Sequence, residues 1–161
     1  MVDIQTASIV IASASVVAGV IYYAYQIRHQ NRIRQTDLVM RLCSTYGGKE
    51  YTEALARVMA SQYEDYNDFV KKCGPNPFLN PDYMAFRMIS VFAEELGMLL
   101  KRGLITPDLI FDLFSVELLW EKLKPIVEGV RKQFNEPRIF ELFEYVYNEV
   151  KKREKKLQSQ D

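Results

Sequence analysis

Histidine is almost missing from this sequence: His29 is the only one in 161 residues, beside just two cysteines, Cys43 and Cys73. That scarcity removes whole classes of chemistry. A ferritin-like di-iron centre draws Glu-x-x-His from two helices and cannot be assembled from one histidine. A Cys–His couple needs hydrogen-bond reach. On a continuous helix His29 and Cys43 stand 14 residues apart, which is about 21 Å at 1.5 Å per residue. His29 with Cys73 is left open by geometry, but a histidine set among arginines beside an apolar run reads more simply as a solvated base. The two thiols show no C-x-x-C or metal-ligand spacing, which suits a reducing compartment. No Gly-rich phosphate loop, G-x-S-x-G or zinc spacing occurs, so no cofactor is expected. Sustained period-two alternation with β-branched enrichment is absent as well, which excludes a sheet and leaves an all-α chain without internal repeats.

Net charge is the next absence. The formal total is zero, yet its distribution is uneven. Residues 1–36 hold three Arg against one Asp, net +2; residues 37–150 hold 13 bases against 18 acids, net −5; residues 151–161 hold five bases against two acids, net +3. An acidic middle argues against a nucleic-acid surface. Basic ends suit an anionic membrane leaflet.

What the sequence does contain is one long stretch without an ionisable Asp, Glu, Lys, Arg or His, the 24 residues from Ile4 to Ile27. As a helix it would extend roughly 36 Å, enough to cross a hydrocarbon core of about 30 Å with some tilt. The stretch ends in Tyr22, Tyr23 and Tyr25, rings that favour the headgroup level. A cleaved signal peptide fits less well, because its start should be basic and Asp3 stands there, although Ala12 and Ala14 offer a cleavage-site lookalike. A buried core helix of this length without a charge is also unusual. Arg28, Arg32 and Arg34 follow the stretch closely, so the positive-inside rule places the amino terminus outside and the remainder in the cytoplasm, at the cell membrane. The lipid bilayer is thus the first expected partner. Ser8, Ala12, Ser15 and Gly19 share one helical stripe of small residues, a candidate seam for a homo-oligomer. Filler in a single-pass anchor accounts for the same residues.

The expected organisation is a transmembrane anchor over 1–27, a basic juxtamembrane helix over 28–37, a helical cytoplasmic domain over 38–150 and a basic tail over 151–161. The domain is expected as a compact bundle of about five helices. The first helix should continue to Tyr46, where Gly47 and Gly48 interrupt it; a second covers about 49–62, and a short third about 65–72, before Pro75 and Pro77 break the chain. Asn80 before Pro81, Thr106 before Pro107 and Asn135 before Pro137 each read as a helix start, giving helices over about 81–102, 107–133 and 137–156, the second kinked near Pro125. In the first of these, Arg87, Ser90, Glu94, Gly97 and Lys101 form a narrow polar stripe. Apolar residues cover the remaining circumference, as in a central core helix. Glu94 lies on the stripe, whereas Glu95 abuts the apolar face and is the acid expected to be partly buried and partnered by a base such as Arg87 or Lys101 or by a helix end. Gly103 should take positive φ and stop this helix.

The run Phe92, Ala93, Glu94, Glu95, Leu96, Gly97, then Lys101 to Ile105, Asp112 to Phe114, Trp120 to Pro125 and Phe143 to Tyr145 resembles a prokaryotic family known only as a domain of unknown function. The resemblance covers about Pro81 to Tyr147. It implies an amino-terminal transmembrane helix ahead of a helical cytoplasmic body, and it carries no activity.

From the residues alone, the sharpest enzyme reading is a membrane-tethered, metal-dependent nucleotide hydrolase using Glu50, Glu53, Asp65 and Asp68, whose spacing faintly resembles that of all-α pyrophosphohydrolases. Glu50 and Glu53 sit opposite Tyr51, Leu55 and Val58, however, which favours a solvated face. The basic tail, Lys151 to Lys156, reads either as an electrostatic foot on anionic lipid or as a helix end whose cations complement the dipole. The preferred reading is a non-catalytic interaction or scaffold protein with an unknown protein partner, no nucleic acid and no metal.

Overall fold

The computed structural model describes residues 3–159, and the side chains of 4–7 and 9–11 lie outside that description. Among the described residues the chain is all-helical: seven α-helices, a 3₁₀ turn and no strand. They are α1 (Ile4–Tyr46), α2 (Lys49–Ala60), α3 (Tyr66–Cys73), α4 (Pro81–Lys101), α5 (Pro107–Leu113), α6 (Val116–Phe134) and α7 (Glu141–Gln158). The chain divides into two units, Met1–Arg41 and Leu42–Asp161.

In the first unit, every described side chain from Ala12 to Ile27 is exposed. Among the described residues, no helix is long and apolar enough to cross a membrane. The apolar run expected to form the anchor draws on the side chains at 4–7 and 9–11, which lie outside the described residues.

The second unit is built around α4, which packs against α2 on one side and α7 on another; α6 packs against α7 and α3, and α5 against α7. Apolar residues at helical spacing supply each face: Tyr51, Ala54 and Val58 in α2, Leu119, Trp120, Leu123, Ile126 and Val127 in α6, Phe143, Val146 and Val150 in α7. All of these are buried. Two of the expected helix starts form as the sequence implies. The Asn80 side-chain oxygen accepts the N–H groups of Asp82 and Tyr83, and the Thr106 hydroxyl oxygen accepts that of Leu109, each ahead of a proline whose missing donor is harmless there. Gly103 takes φ +67 and ends α4.

Three expectations need correction. Among the described residues there are seven helices, six of them after α1, where about five were expected for the bundle. The additional helix arises because the segment 107–133 is two helices: α5 stops at Leu113, Phe114 and Ser115 are non-helical, and α6 starts at Val116. Phe114 thereby turns inward, with its ring edge-on to Tyr46 at 4.9 Å. Pro125 lies inside α6 without ending it. The third start fails outright. Asn135 adopts the left-handed conformation, φ 49, and closes α6, and α7 starts only at Glu141. Asparagine tolerates that conformation almost as glycine does, so its short polar side chain serves either end of a helix.

The third correction concerns the polar stripe of α4, which faces inward over its middle. Ser90 and Gly97 are buried and Glu94 is half-buried, whereas Glu95 is exposed. A Cβ on Gly97 would overlap the backbone and Cβ of Leu142. The stripe is small first and polar second, and α7 fits into it.

Candidate functional site

α3 meets α6 closely because Gly129 leaves room for the Tyr66 side chain, which a Cβ there would overlap. The space between the two helices is walled by α4 and by the connection from α6 to α7, and it forms a cavity of about 620 Å³. From α3 come Tyr66, Phe69 and Val70, and from the bend after it Pro75 and Pro77. Phe78, in the 3₁₀ turn, and Tyr83 and Phe86, on α4, add aromatic walls; Val130, Phe134 and Phe140 complete the lining. The rings support one another: Phe69 lies 5.3 Å from Phe86, Phe78 lies 5.2 Å from Tyr83, and Phe86 lies 5.7 Å from Phe140 in an edge-on contact.

Only one charged side chain lines this cavity, Arg87, and no carboxylate does. Its guanidinium carbon sits 5.7 Å from the centre of the Phe78 ring, a distance at which the ring face attracts a cation. Among the described residues it has no ion-pair partner. Arg87 and Val91 also border a shallower groove of about 760 Å³ along α2 and α4, whose floor includes Tyr51, Met84 and Met88. Met84, Met88, Val91 and Met98 form an exposed apolar stripe on the outer face of α4.

Cys73 also borders the cavity and is buried. Burial pushes its thiol pKa up, with a further push from the Asp82 carboxylate, so it is held as the neutral thiol and is a poor nucleophile. Asp82 itself accepts the Tyr63 hydroxyl at 2.7 Å and pairs with Arg57 at 3.2 Å.

The acids of the hydrolase reading are spent separately. Glu50 and Glu53 are exposed, with Glu53 near Lys49 at 3.7 Å. Asp65 caps α3 by accepting the Asp68 N–H, and Asp68 takes Lys72 at 2.6 Å, which lowers its pKa. Among the described residues, no group of three His, Cys, Asp or Glu is placed to hold a metal ion.

The residues expected at the membrane interface lie exposed along α1: Tyr22, Tyr23, Tyr25, Arg28, Arg32 and Arg34. The Tyr25 ring is parallel to that of His29, with centroids 6.3 Å apart. Ser8, Ala12, Ser15 and Gly19 are exposed on the same helix, and a Cβ at Gly19 would meet open space. The basic tail is largely helix, the last turns of α7. Lys151 reaches Glu117 at 3.4 Å, Lys152 reaches Glu149 at 2.6 Å, and Arg153 pairs with Asp108. These bases are engaged by carboxylates of the body itself.

The cavity was not foreseen from the sequence. Its signal was the loop Pro75 to Leu79, where exposed Phe78 and Leu79 stand in a segment whose two prolines cannot continue an α-helix.

No curated protein and no solved structure matches this chain. Residues 13–150 match a family model described as a domain of unknown function, DUF4760. The match takes in α2 to α6, most of α1 and the first ten residues of α7, well beyond the segment on which a resemblance was expected, and the chain belongs to that family.

Proposed function

We propose that this is a single-pass, membrane-anchored binding protein that acts by holding a partner rather than by catalysis. The observation that carries the reading is the helical run from Ile4 to Ile27, which has no ionisable side chain apart from its tyrosines. Its described large apolar residues stand bare: Val16, Val17, Val20 and Ile21 are 58–67% exposed. Covering such a side chain is worth about 1.5–3 kcal/mol. A bilayer covers all sides of a helix at once, while a second copy across Ser8, Ala12, Ser15 and Gly19 would cover one.

Arg28, Arg32 and Arg34, against Asp3 at the other end, favour the amino terminus outside and the body on the cytoplasmic face. The tyrosines at 22, 23 and 25 then lie at the inner headgroup level. The body offers an apolar surface for a partner in the methionine stripe of α4, whose flexible thioethers adapt to varied shapes.

Alkaline carbonate extraction of cells expressing the full chain tests the anchor, and protease protection of tags at each end tests the orientation. The expected result is a pellet-bound chain with a protected amino-terminal tag in inverted vesicles. Full-length protein in the supernatant would overturn the anchor and the scaffold reading with it.

A further inference from the structure

We propose that the cavity between α3, α4 and α6 binds a single-chain anionic amphiphile, a fatty acid, with its tail among the aromatic walls and its carboxylate on Arg87. The volume of about 620 Å³ is that of a small-molecule site, within the usual range of roughly 300–1,000 Å³. A docked helix is a poor fit. With a diameter of about 10–12 Å and a pitch of 5.4 Å, one helical turn occupies roughly 400–600 Å³, so the cavity would take little more than a single turn. A flexible hydrocarbon chain enters completely.

The charge pattern selects the head group. The surrounding body is acidic, with net −5 over residues 37–150, yet the only charge lining the cavity is a cation. Arg87 is exposed at the mouth, its guanidinium held near the Phe78 ring, which leaves its planar donor edge for an incoming oxyanion. Guanidinium matches carboxylate through two parallel N–H···O bonds. A neutral sterol or alkane would leave that cation idle, and a cationic ligand would be repelled. Phe134 at 66% exposed and Phe78 at 57% exposed stand at the rim, where a chain passing inward would cover them. Nothing in the cavity depends on where residues 4–27 lie.

The test uses the full chain in phosphatidylcholine nanodiscs carrying a trace of palmitate with a diazirine on its chain. After irradiation, adducts are mapped by peptide mass spectrometry. Adducts are expected on α3 and on the segment from Phe134 to Phe140. Two variants at exposed positions, R87A and V70W, keep the core intact, which circular dichroism and thermal unfolding check. R87A should lose roughly tenfold of the cavity adducts, as expected for one charged hydrogen-bonded contact. V70W should lose nearly all by filling the space. On the unaltered chain, the methyl ester of the probe should label the cavity as poorly as palmitate labels R87A.

Equal labelling of the cavity by acid and ester, or in all three chains, overturns the assignment. So does a co-purified peptide at this wall that palmitate fails to displace in native mass spectra. Adducts confined to residues 4–27 overturn the cavity ligand and support the anchor. Adducts in the cavity with none on 4–27 support the ligand and overturn the anchor.

Discussion

The carboxylate of Glu94 on α4 accepts the backbone N–H of Phe143 at 2.7 Å, so it closes the open first turn of α7 from a neighbouring helix. The sequence places Glu94 on a solvated stripe and Glu95 against the core, and the molecule does the reverse. The pKa of Glu94 is raised, chiefly by burial, against which the N–H groups of Phe143 and Leu142 work in the other direction. A carboxyl whose folded pKa lies above its unfolded one adds stability that is complete below the ordinary glutamate range, about 4.3, and is lost as pH rises through the folded value.

Glu94→Gln should therefore flatten the pH dependence of unfolding between pH 4 and the raised folded value, since the amide oxygen still accepts the N–H without carrying charge. Glu94→Ala should cost about 1–2 kcal/mol across the whole range, as for a lost helix cap. Urea titrations of both variants at several pH values check this. A wild-type stability that instead falls toward low pH through this residue would show the sign to be wrong.

Gly97→Ala should be among the most damaging single-methyl changes in the body. The added Cβ meets backbone at Leu142, which has no rotamer with which to give way, and overpacking of this kind costs about 1–3 kcal/mol. Gly19→Ala meets open space and should leave the unfolding of the body unchanged. Thermal melts of the two variants side by side make the comparison.

Arg131 donates to the Ile139 carbonyl at 2.8 Å and the Phe140 carbonyl at 3.2 Å, and pairs with Glu144 at 2.7 Å. One guanidinium thus ties the end of α6 to the start of α7 and holds Phe140 at φ 56, a conformation that bulky residues avoid. Arg131→Ala should cost about 2–4 kcal/mol. Arg131→Lys should recover little, because an ammonium cannot span three acceptors in that geometry. Full rescue by lysine in chemical denaturation would mean that charge alone matters here.

A single charge in the apolar run tests the anchor energetically. Val17→Arg should raise the cost of a membrane-spanning helix by about 2.5–3.5 kcal/mol, shifting a measurable share of the full chain from carbonate-resistant pellet to supernatant. A control in the body, exposed Thr52→Ala, should shift none.

The parts of the fold legible in the sequence were those written in a few adjacent residues. Asn80 with Pro81 and Thr106 with Pro107 carry a capping oxygen and a donor-free ring in the right order, and both helices start there. Asn135 and Pro137 are separated by Glu136, unlike the adjacent pairs at the other two starts, and Asn135 ends a helix instead, left-handed with its N–H on the carbonyls of the last turn of α6. The split at Phe114 and Ser115 was invisible because it is driven by where the Phe114 ring can be buried, beside Tyr46 and Phe92. The cavity has the same character. Its residues are scattered from Tyr66 to Phe140, and Arg87 reads in isolation as one more surface cation.

The outward stripe of α4 has a chemical consequence. Met84, Met88 and Met98 present their thioethers to solvent along one helix face, at 39–45% exposure. Peroxide would convert each to a sulfoxide, turning that face from oily to strongly dipolar while the buried side of the same helix stayed untouched. Oxidation there would weaken whatever apolar contacts that face makes while leaving the packed interior beneath it intact.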